Sequence, residues 1–451
     1  MKHGTIITVG IALGLVLGAL VGEVIFRVTY DEALQASQVP PVLAATLQFI
    51  GDTCFIGLLK MIVLPLVAAS VVVGVTSIGD PRELGRIGGL TLLYYALGMT
   101  AAVILGLVLV TTIRPGVGIS SAIVEQGLAS YTADATVQQR TTAAGEMGLW
   151  GAVQNITRQL IPANIFGAAA EGQVLPVISF SLIVGVALAT VGAAARPLID
   201  AVNALYLAVM KLVDWILWLA PLGVFCIVTL VVARAGLAQL VGPLALYMLT
   251  VILALLIHGL VTLPLALWLL GRANPYRYMG QVKDALLMAF GTASSNATLP
   301  VSIEVSQKYG GVSRRASGFV MPLGATVNMN GTALYEAVAV VFLFQCFGIP
   351  LGLTELLIIT VTATLAAVGA AGIPSAGLVT MVLVVEAVNN SLGLPPEQRL
   401  PLASVGIILG VDRILDMCRT TVNVWDDLVG AKIITRLMPD EPAAAVDDAS
   451  I

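Results

Sequence analysis

The sequence predicts an all-α polytopic membrane protein with eight transmembrane spans and two re-entrant helical hairpins. Three observations predict this. The 451 residues are 58% hydrophobic and only 11% charged, with a mean hydropathy of +0.98, whereas soluble domains are about a quarter charged. Apolar runs long enough to cross a bilayer recur along the chain. The third observation is Met321 to Glu336, MPLGATVNMNGTALYE, an amide- and glycine-rich stretch set inside an otherwise apolar run.

The elements follow in order. Residues 4–26, behind Lys2, make an apolar run longer than the core of a secretory signal and read as a first span. Further spans are expected at 45–78, 88–113, 175–195, 205–232 and 241–270. Lys60, within the over-long second run, reads as a snorkelling or helix-packing residue. Lys211 and Asp214, three apart on the fifth, read as a neutralised pair facing protein. Residues 115–164 are polar and belong outside the membrane, opposite the Lys- and Arg-rich loops. Asn155-Ile-Thr157 fits a glycosylation acceptor pattern, one that often arises by chance.

Orientation by Lys and Arg requires residues 285–305 to dip into the membrane and return to the same side. Their tip, GTASSNATLP at 291–300, is small, hydroxyl-rich and closed by proline, which suits a tight turn. Residues 352–388 are split in the same manner by GAAGIPSAG at 369–377. Each hairpin precedes a span with buried polar groups, so the two form an inverted repeat, an arrangement that puts substrate and ions at mid-membrane. Ordinary extramembrane loops are the alternative for either turn. Within 317–347, the centre Asn328-Met329-Asn330-Gly331-Thr332 weakens a regular helix. Irregular backbone at that depth is tolerated only inside protein or beside a wet cavity; an aqueous loop between two short helices is the alternative.

The last span, 411–434, is the most ionisable. Asp412, Asp416, Arg419, Thr420, Asn423 and Asp427 fall within roughly 100° of arc at about 100° per residue. A charge at depth costs at least ~2.5 kcal/mol on insertion scales, so such groups are kept for pairing, passage or binding. Arg419 offers a planar fork matched to a carboxylate, Asp416 suits an ammonium, and Asp427 with Asn423 offers oxygens to a hard monovalent cation. A structural Asp–Arg network between helices is the competing reading. With Asp416 and Asp427 ionised, Arg419 cationic, Glu336 protonated and a singly negative amino acid bound, the site carries about two net negative charges, which in a low-dielectric region calls for roughly two compensating cations.

Composition limits the other classes. The net charge of -4, without a basic tract, argues against nucleic acid as a partner. Cys54, Cys226, Cys346 and Cys418 lie far apart, and His3 and His258 are the only histidines, so no zinc or disulfide framework is expected. An intramembrane hydrolase using Ser294 or Ser295 would lack a neighbouring His or Lys base, so no enzyme is expected.

At LLKMIVLPLVAASVVVG (58–74), GQVLPVISFSLIVG (172–185), LAPLGVF (219–225), SSNATLP (294–300), PLGATVNMNGTALYEA (322–337), GAAGIPSAGLVTMV (369–382) and DMCRTTVNVWDDLVGAKI (416–433), the chain resembles the glutamate/aspartate transporter family, the dicarboxylate/amino acid:cation symporters. The resemblance implies a homotrimer that carries acidic amino acids across the cell membrane by an elevator movement. Scaffold would be 1–85 and 115–235, transport domain 86–114 and 236–438, followed by an acidic tail at 439–451. It implies that Arg419 and Thr332 hold the substrate's side-chain carboxylate, and Asp416 and Thr420 its amino group. Asn423 with Ser294 and Ser295 would hold the main-chain carboxylate, under a lid at Ile373 and Gly377. One sodium site would use Gly324, Asn328, Asn423 and Asp427; a second would use Thr326, Met329, Ala367, Val368 and Ala370. Having both Asp416 and Arg419 resembles an acidic amino acid carrier; dicarboxylate or neutral amino acid symport, and an anion channel on the same fold, are the alternatives.

Departures from the family pattern fall at a third sodium site. Asn330 stands where the family has an aspartate, and Gly98-Met99 where it has two hydroxyl residues, so that site is expected to be weak or missing. Glu336 resembles the glutamate of proton-coupled members, which implies one or two sodium ions plus a proton, or protons alone. Asn296 stands in place of a serine and Asp426 in place of a glycine, and the sequence offers no reason for either.

Overall fold

The computed structural model describes residues 2–31, 36–76, 81–121, 161–235, 244–369 and 376–439, with isolated positions between 123 and 160. The described chain is nearly all helix; the only strands among these residues are a two-residue antiparallel pair, Tyr30–Asp31 with Ala36–Ser37. The expected features at 439–451, 370–375 and Asn155-Ile156 lie outside the described residues, apart from Pro439.

Among the described residues six stretches are long and apolar enough to cross a membrane. One of them, Val174–Arg234, has 61 residues, about 90 Å if straight, three times the hydrocarbon thickness of ~30 Å. Gly192, at φ +72°, and the 3-10 turn Gly192–Ala195 divide it into Val174–Val191 and a second rod from Arg196 to Ala235. The last helix, Leu409–Leu437, is absent from the six because its polar stripe lowers its hydropathy, not because it is short.

The N-terminal helix Lys2–Thr29 places Gly10, Gly14, Gly18 and Gly22 against Ala220–Ala235. A Cβ built on Gly14 would stand 2.5 Å from the Pro221 carbonyl oxygen, and one on Gly22 2.7 Å from that of Thr229. Four glycines one turn apart therefore let two backbones touch, as small residues do between membrane helices. Val9, Leu13, Val16, Leu20 and Val24 point outward, where lipid or another apolar surface covers them. Pro41–Thr76 contains a π-helical segment at Phe49–Ile56, and its C-terminal part, Gly57–Thr76, packs on Val174–Val191, Arg196–Ile216 and Arg314–Val327.

The site-bearing elements lie inside this shell. Arg314–Cys346 is 94% buried over its most apolar window, against 28% for Val9–Thr29, so one is a core element and the other faces outward. The first hairpin is Lys283–Thr292 and Ser295–Lys308, of 10 and 14 residues, each about 15–21 Å long and too short to span the hydrocarbon alone. Ala293, at φ +49°, turns the chain; Ser294 caps the second arm by accepting from Ala297 N at 3.2 Å. The second hairpin's arms, Leu353–Gly369 and Ala376–Leu392, pack on each other. Leu409–Leu437 packs against both arms of the first hairpin and both halves of the broken helix.

Candidate functional site

The helix expected to be weak does break. Arg314–Val327 ends at Asn328 (φ -93°, ψ 80°) and Met329 (φ -108°, ψ 55°), and Asn330–Cys346 resumes. A helix end leaves backbone groups without intrahelical partners, and the last helix supplies some of them. Gly331 N donates to Asn423 Oδ1 at 2.7 Å, while Asn423 Nδ2 donates to Thr332 Oγ1 at 3.2 Å and approaches Met329 Sδ at 3.3 Å. Asn423 thus ties both sides of the break to Leu409–Leu437.

Asn328 bonds the same helix one turn further on. Its Nδ2 donates to Asp426 Oδ2 at 2.7 Å and to Asp427 Oδ1 at 2.9 Å. Gly324 lies directly against Asp427: a Cβ there would collide with the Asp427 carboxylate and come 2.8 Å from the Tyr95 hydroxyl. Gly324, Asn328, Asn423 and Asp427 are therefore neighbours, and all but the glycine are buried polar side chains. Thr326, Met329 and Ala367 are buried and Val368 is half-buried; Ala370 and Ile373 lie outside the described residues.

The fork of Arg419 is engaged within its own helix. Its Nε donates to Asp416 Oδ1 and its Nη1 to Asp412 Oδ1, both at 2.9 Å. Tyr335 stacks under the guanidinium, 4.3 Å from its carbon, and donates from its hydroxyl to Asp412 Oδ1 at 2.9 Å. The physical reason is burial: a guanidinium 1% exposed is strongly destabilising without paired charge. The Asp–Arg network lies within one helix rather than between helices, and Asp416 faces Arg419 instead of standing open to an ammonium. Nη2 remains, buried and without a hydrogen bond. Gly377 sits over this group, since a Cβ on it would lie 3.1 Å from Thr332 Cγ2 and 3.4 Å from Arg419 Cζ. Thr420 is buried beside Arg419.

Ser294 and Ser295 are buried at the tip of the first hairpin, whose arms pack on the last helix. The tip also borders a cavity of about 570 Å³ lined by Lys60, Arg234, Arg413 and Asp52 among others. Lys60 is exposed there rather than packed. Lys211 and Asp214 do pair, at 3.6 Å, but with side chains 61% and 38% exposed they stand at a rim rather than facing the interior. Lys308 joins them, 3.7 Å from Asp214 and 3.2 Å from Glu304.

Glu336, fully buried, accepts through Oε1 from the Thr380 hydroxyl, and its Oε2 has no hydrogen bond. Thr380 belongs to the second hairpin, so this contact joins that hairpin to the broken helix. Sequence reasoning missed Thr380, Tyr335, Tyr94 and the parts played by Asp412 and Asp426; the one available signal was the surplus of acids on the last helix. More acids are buried here than the expected site used: Asp412 and Asp416 bond Arg419, Asp426 and Asp427 share Asn328, and Glu336 bonds Thr380. Among the described residues no three His, Cys, Asp or Glu side chains gather as metal ligands; the site's oxygens are amides, carbonyls and separated carboxylates, a hard set suited to alkali cations.

The sequence model of the sodium:dicarboxylate symporter family matches residues 5–437. The chain is 36% identical to excitatory amino acid transporter 3 of Oryctolagus cuniculus over 419 residues, covering 85% of this chain and 78% of the relative. It is 34% identical to an excitatory amino acid transporter of Caenorhabditis elegans over 435 residues, covering 89% and 83%. It is likewise 35% identical to neutral amino acid transporter B(0) of Oryctolagus cuniculus over 404 residues, covering 84% and 71%.

Proposed function

The chain belongs to the sodium:dicarboxylate symporter family, and from that premise we propose that it is a multi-pass carrier that takes up acidic amino acids, glutamate or aspartate, together with sodium, protons or both. Similarity to both excitatory and neutral amino acid transporters leaves the substrate class to the site itself. The observation that carries the reading is Arg419. Among the described residues it is the one buried guanidinium in the acid-rich pocket at the break, and its Nη2 still has a donor to give. A second carboxylate on the substrate would find there a charge-assisted hydrogen bond in a dry setting. A neutral side chain would leave that donor unpaired, which disfavours it.

In this reading Arg419 and Thr332 hold the side-chain carboxylate, Asp416 and Thr420 the amino group, and Asn423 with Ser294 and Ser295 the main-chain carboxylate. Substrate arrival would loosen the Asp416–Arg419 contact, so that the ammonium takes Asp416 as the carboxylate takes Arg419. Gly377 covers the pair without a side chain, and Ile373 would complete the lid. Gly324, Asn328, Asn423 and Asp427 would take one sodium ion, and Thr326, Met329, Ala367, Val368 and Ala370 a second; Glu336 would carry a proton. Residues 1–85 and 115–235 would form the scaffold of a trimer, across which 86–114 and 236–438 move as an elevator, the eight spans being divided between the two.

Labelled aspartate, glutamate and alanine uptake into proteoliposomes, with sodium and proton gradients imposed separately, tests this reading. Concentrative uptake of the two acids but not of alanine is expected. Alanine uptake equal to aspartate uptake would contradict it.

The cavity beside Lys60, Arg234 and Arg413 supports a second reading, anion conduction on the same fold. Anion current without concentrative uptake would favour it over the carrier.

A further inference from the structure

Most donors around Asp426 already have an acceptor, while two buried amide oxygens of the broken helix have no donor. Asp426, Asn328 and Asn330 are completely buried, and Asp427 nearly so. Asn328 Nδ2 has two hydrogens, and the two carboxylates take both. The Tyr94 hydroxyl donates to Asp426 Oδ1, the Tyr95 hydroxyl to Val320 O at 2.7 Å, and Trp425 Nε1 to Gly259 O at 2.9 Å. Asn330 Nδ2 lies 3.3 Å from His258 Nε2. Against this, Asn328 Oδ1 and Asn330 Oδ1 are both buried with no hydrogen bond. Gly98 faces the same spot: a Cβ on it would lie 2.9 Å from Asn330 Nδ2 and 3.7 Å from Asp426 Oδ2. Two carboxylates thus meet at Asn328, the Asn330 amide lies beside them across Gly98, and among the described residues no Lys or Arg bonds either carboxylate.

We infer that Asp426, with the amide oxygens of Asn328 and Asn330, forms a monovalent-cation site separate from the one proposed at Asp427, the carboxylate being supplied from the last helix rather than from position 330. The inference rests on the symport reading and extends it. All its ligands are hard oxygens, which suits sodium. Because Asn328 bonds both carboxylates, filling either site reorganises the amide that serves the other, so the two sites are coupled. Gly98 carries no side chain that would fill the space between Asn330 and Asp426. Asp426 thereby gains a role, and the site expected to be weak is restored by a different residue.

The test uses the purified full-length protein without substrate, at fixed pH and ionic strength, with sodium chloride exchanged for choline chloride. The dependence of thermal stability on sodium concentration gives the number of ions bound by the folded state. Asp426→Asn should bind one sodium ion fewer than wild type, and Asp427→Asn likewise. The double variant Asn330→Asp/Asp426→Asn, which moves the carboxylate across the site, should recover the wild-type number. An unchanged sodium response in Asp426→Asn overturns the inference. So does a double variant that fails to recover it, whether through lost binding or lost folding. Repeating the titration with potassium chloride, and at pH 6 and 8, separates the ions: if Asp426→Asn alters only the pH response, the carboxylates share a proton and the sodium site is refuted. A wild type indifferent to sodium would strike the symport reading itself, an outcome distinct from all of these.

Discussion

The amide nitrogen of Asn328 bonds Asp426 and Asp427 at once, at 2.7 and 2.9 Å. One side chain at the break in a buried helix thereby governs two adjacent carboxylates on another. Adjacent residues of a helix point about 100° apart, so only a group lying between them reaches both. The consequence is that the irregular backbone, the acids of the last helix and the cation chemistry form one unit.

Asp416→Asn should lower aspartate uptake by more than about tenfold, since truncating a buried, hydrogen-bonded charge pair costs about 2–5 kcal/mol. Dicarboxylates without an amine should suffer less, because they have no ammonium to place. Competition of succinate against labelled aspartate measures the ratio; an unchanged ratio would remove Asp416 from amine recognition.

Glu336→Gln should flatten the dependence of uptake on external pH. If Glu336 carries a proton inward, acidifying the outside favours wild-type uptake, and the amide cannot respond. Uptake measured from pH 5.5 to 8.5 at a constant sodium gradient checks this; a variant with the wild-type profile places the coupling proton elsewhere.

Gly14→Leu should destabilise the folded protein by about 1–3 kcal/mol or more, as overpacking does, because the new Cβ alone would stand 2.5 Å from the Pro221 carbonyl. Leu13→Ala, at a residue 53% exposed on the opposite face, should cost much less. Thermal unfolding of both variants in one detergent decides between them.

Asp214→Asn should change stability by under about 1 kcal/mol, since partly exposed ion pairs contribute little. Asp214 nevertheless connects Arg196–Ile216 to Lys308 on the first hairpin. If those elements move past each other, the maximal rate should shift while the substrate concentration at half-maximal rate stays put. Initial-rate kinetics separate the two quantities.

Much of this is legible in the sequence alone. The break at Asn328–Met329 showed itself because amides and glycine interrupt an apolar run, and the polar stripe from Asp412 to Asp427 followed from helical periodicity. Periodicity also paired Lys211 with Asp214, though not with Lys308, which is distant in sequence. It could not show that Arg419 is clamped by Asp412 and Asp416, because rotamers within one helix decide that. Nor could it give Asp426 a role. At about 100° per residue Asp426 lies just beyond the stripe's edge, facing Tyr94, which is 332 positions away in the chain. Such a contact has no local signature.

The most direct test is the steady-state accumulation of labelled aspartate in proteoliposomes under an inward sodium gradient, comparing wild type with Arg419→Ala. The wild type should concentrate aspartate well above the external level, and the variant should show none above empty-liposome background while still folding by thermal unfolding. Equal accumulation by the two would contradict the role assigned to Arg419, and with it the acidic-substrate carrier.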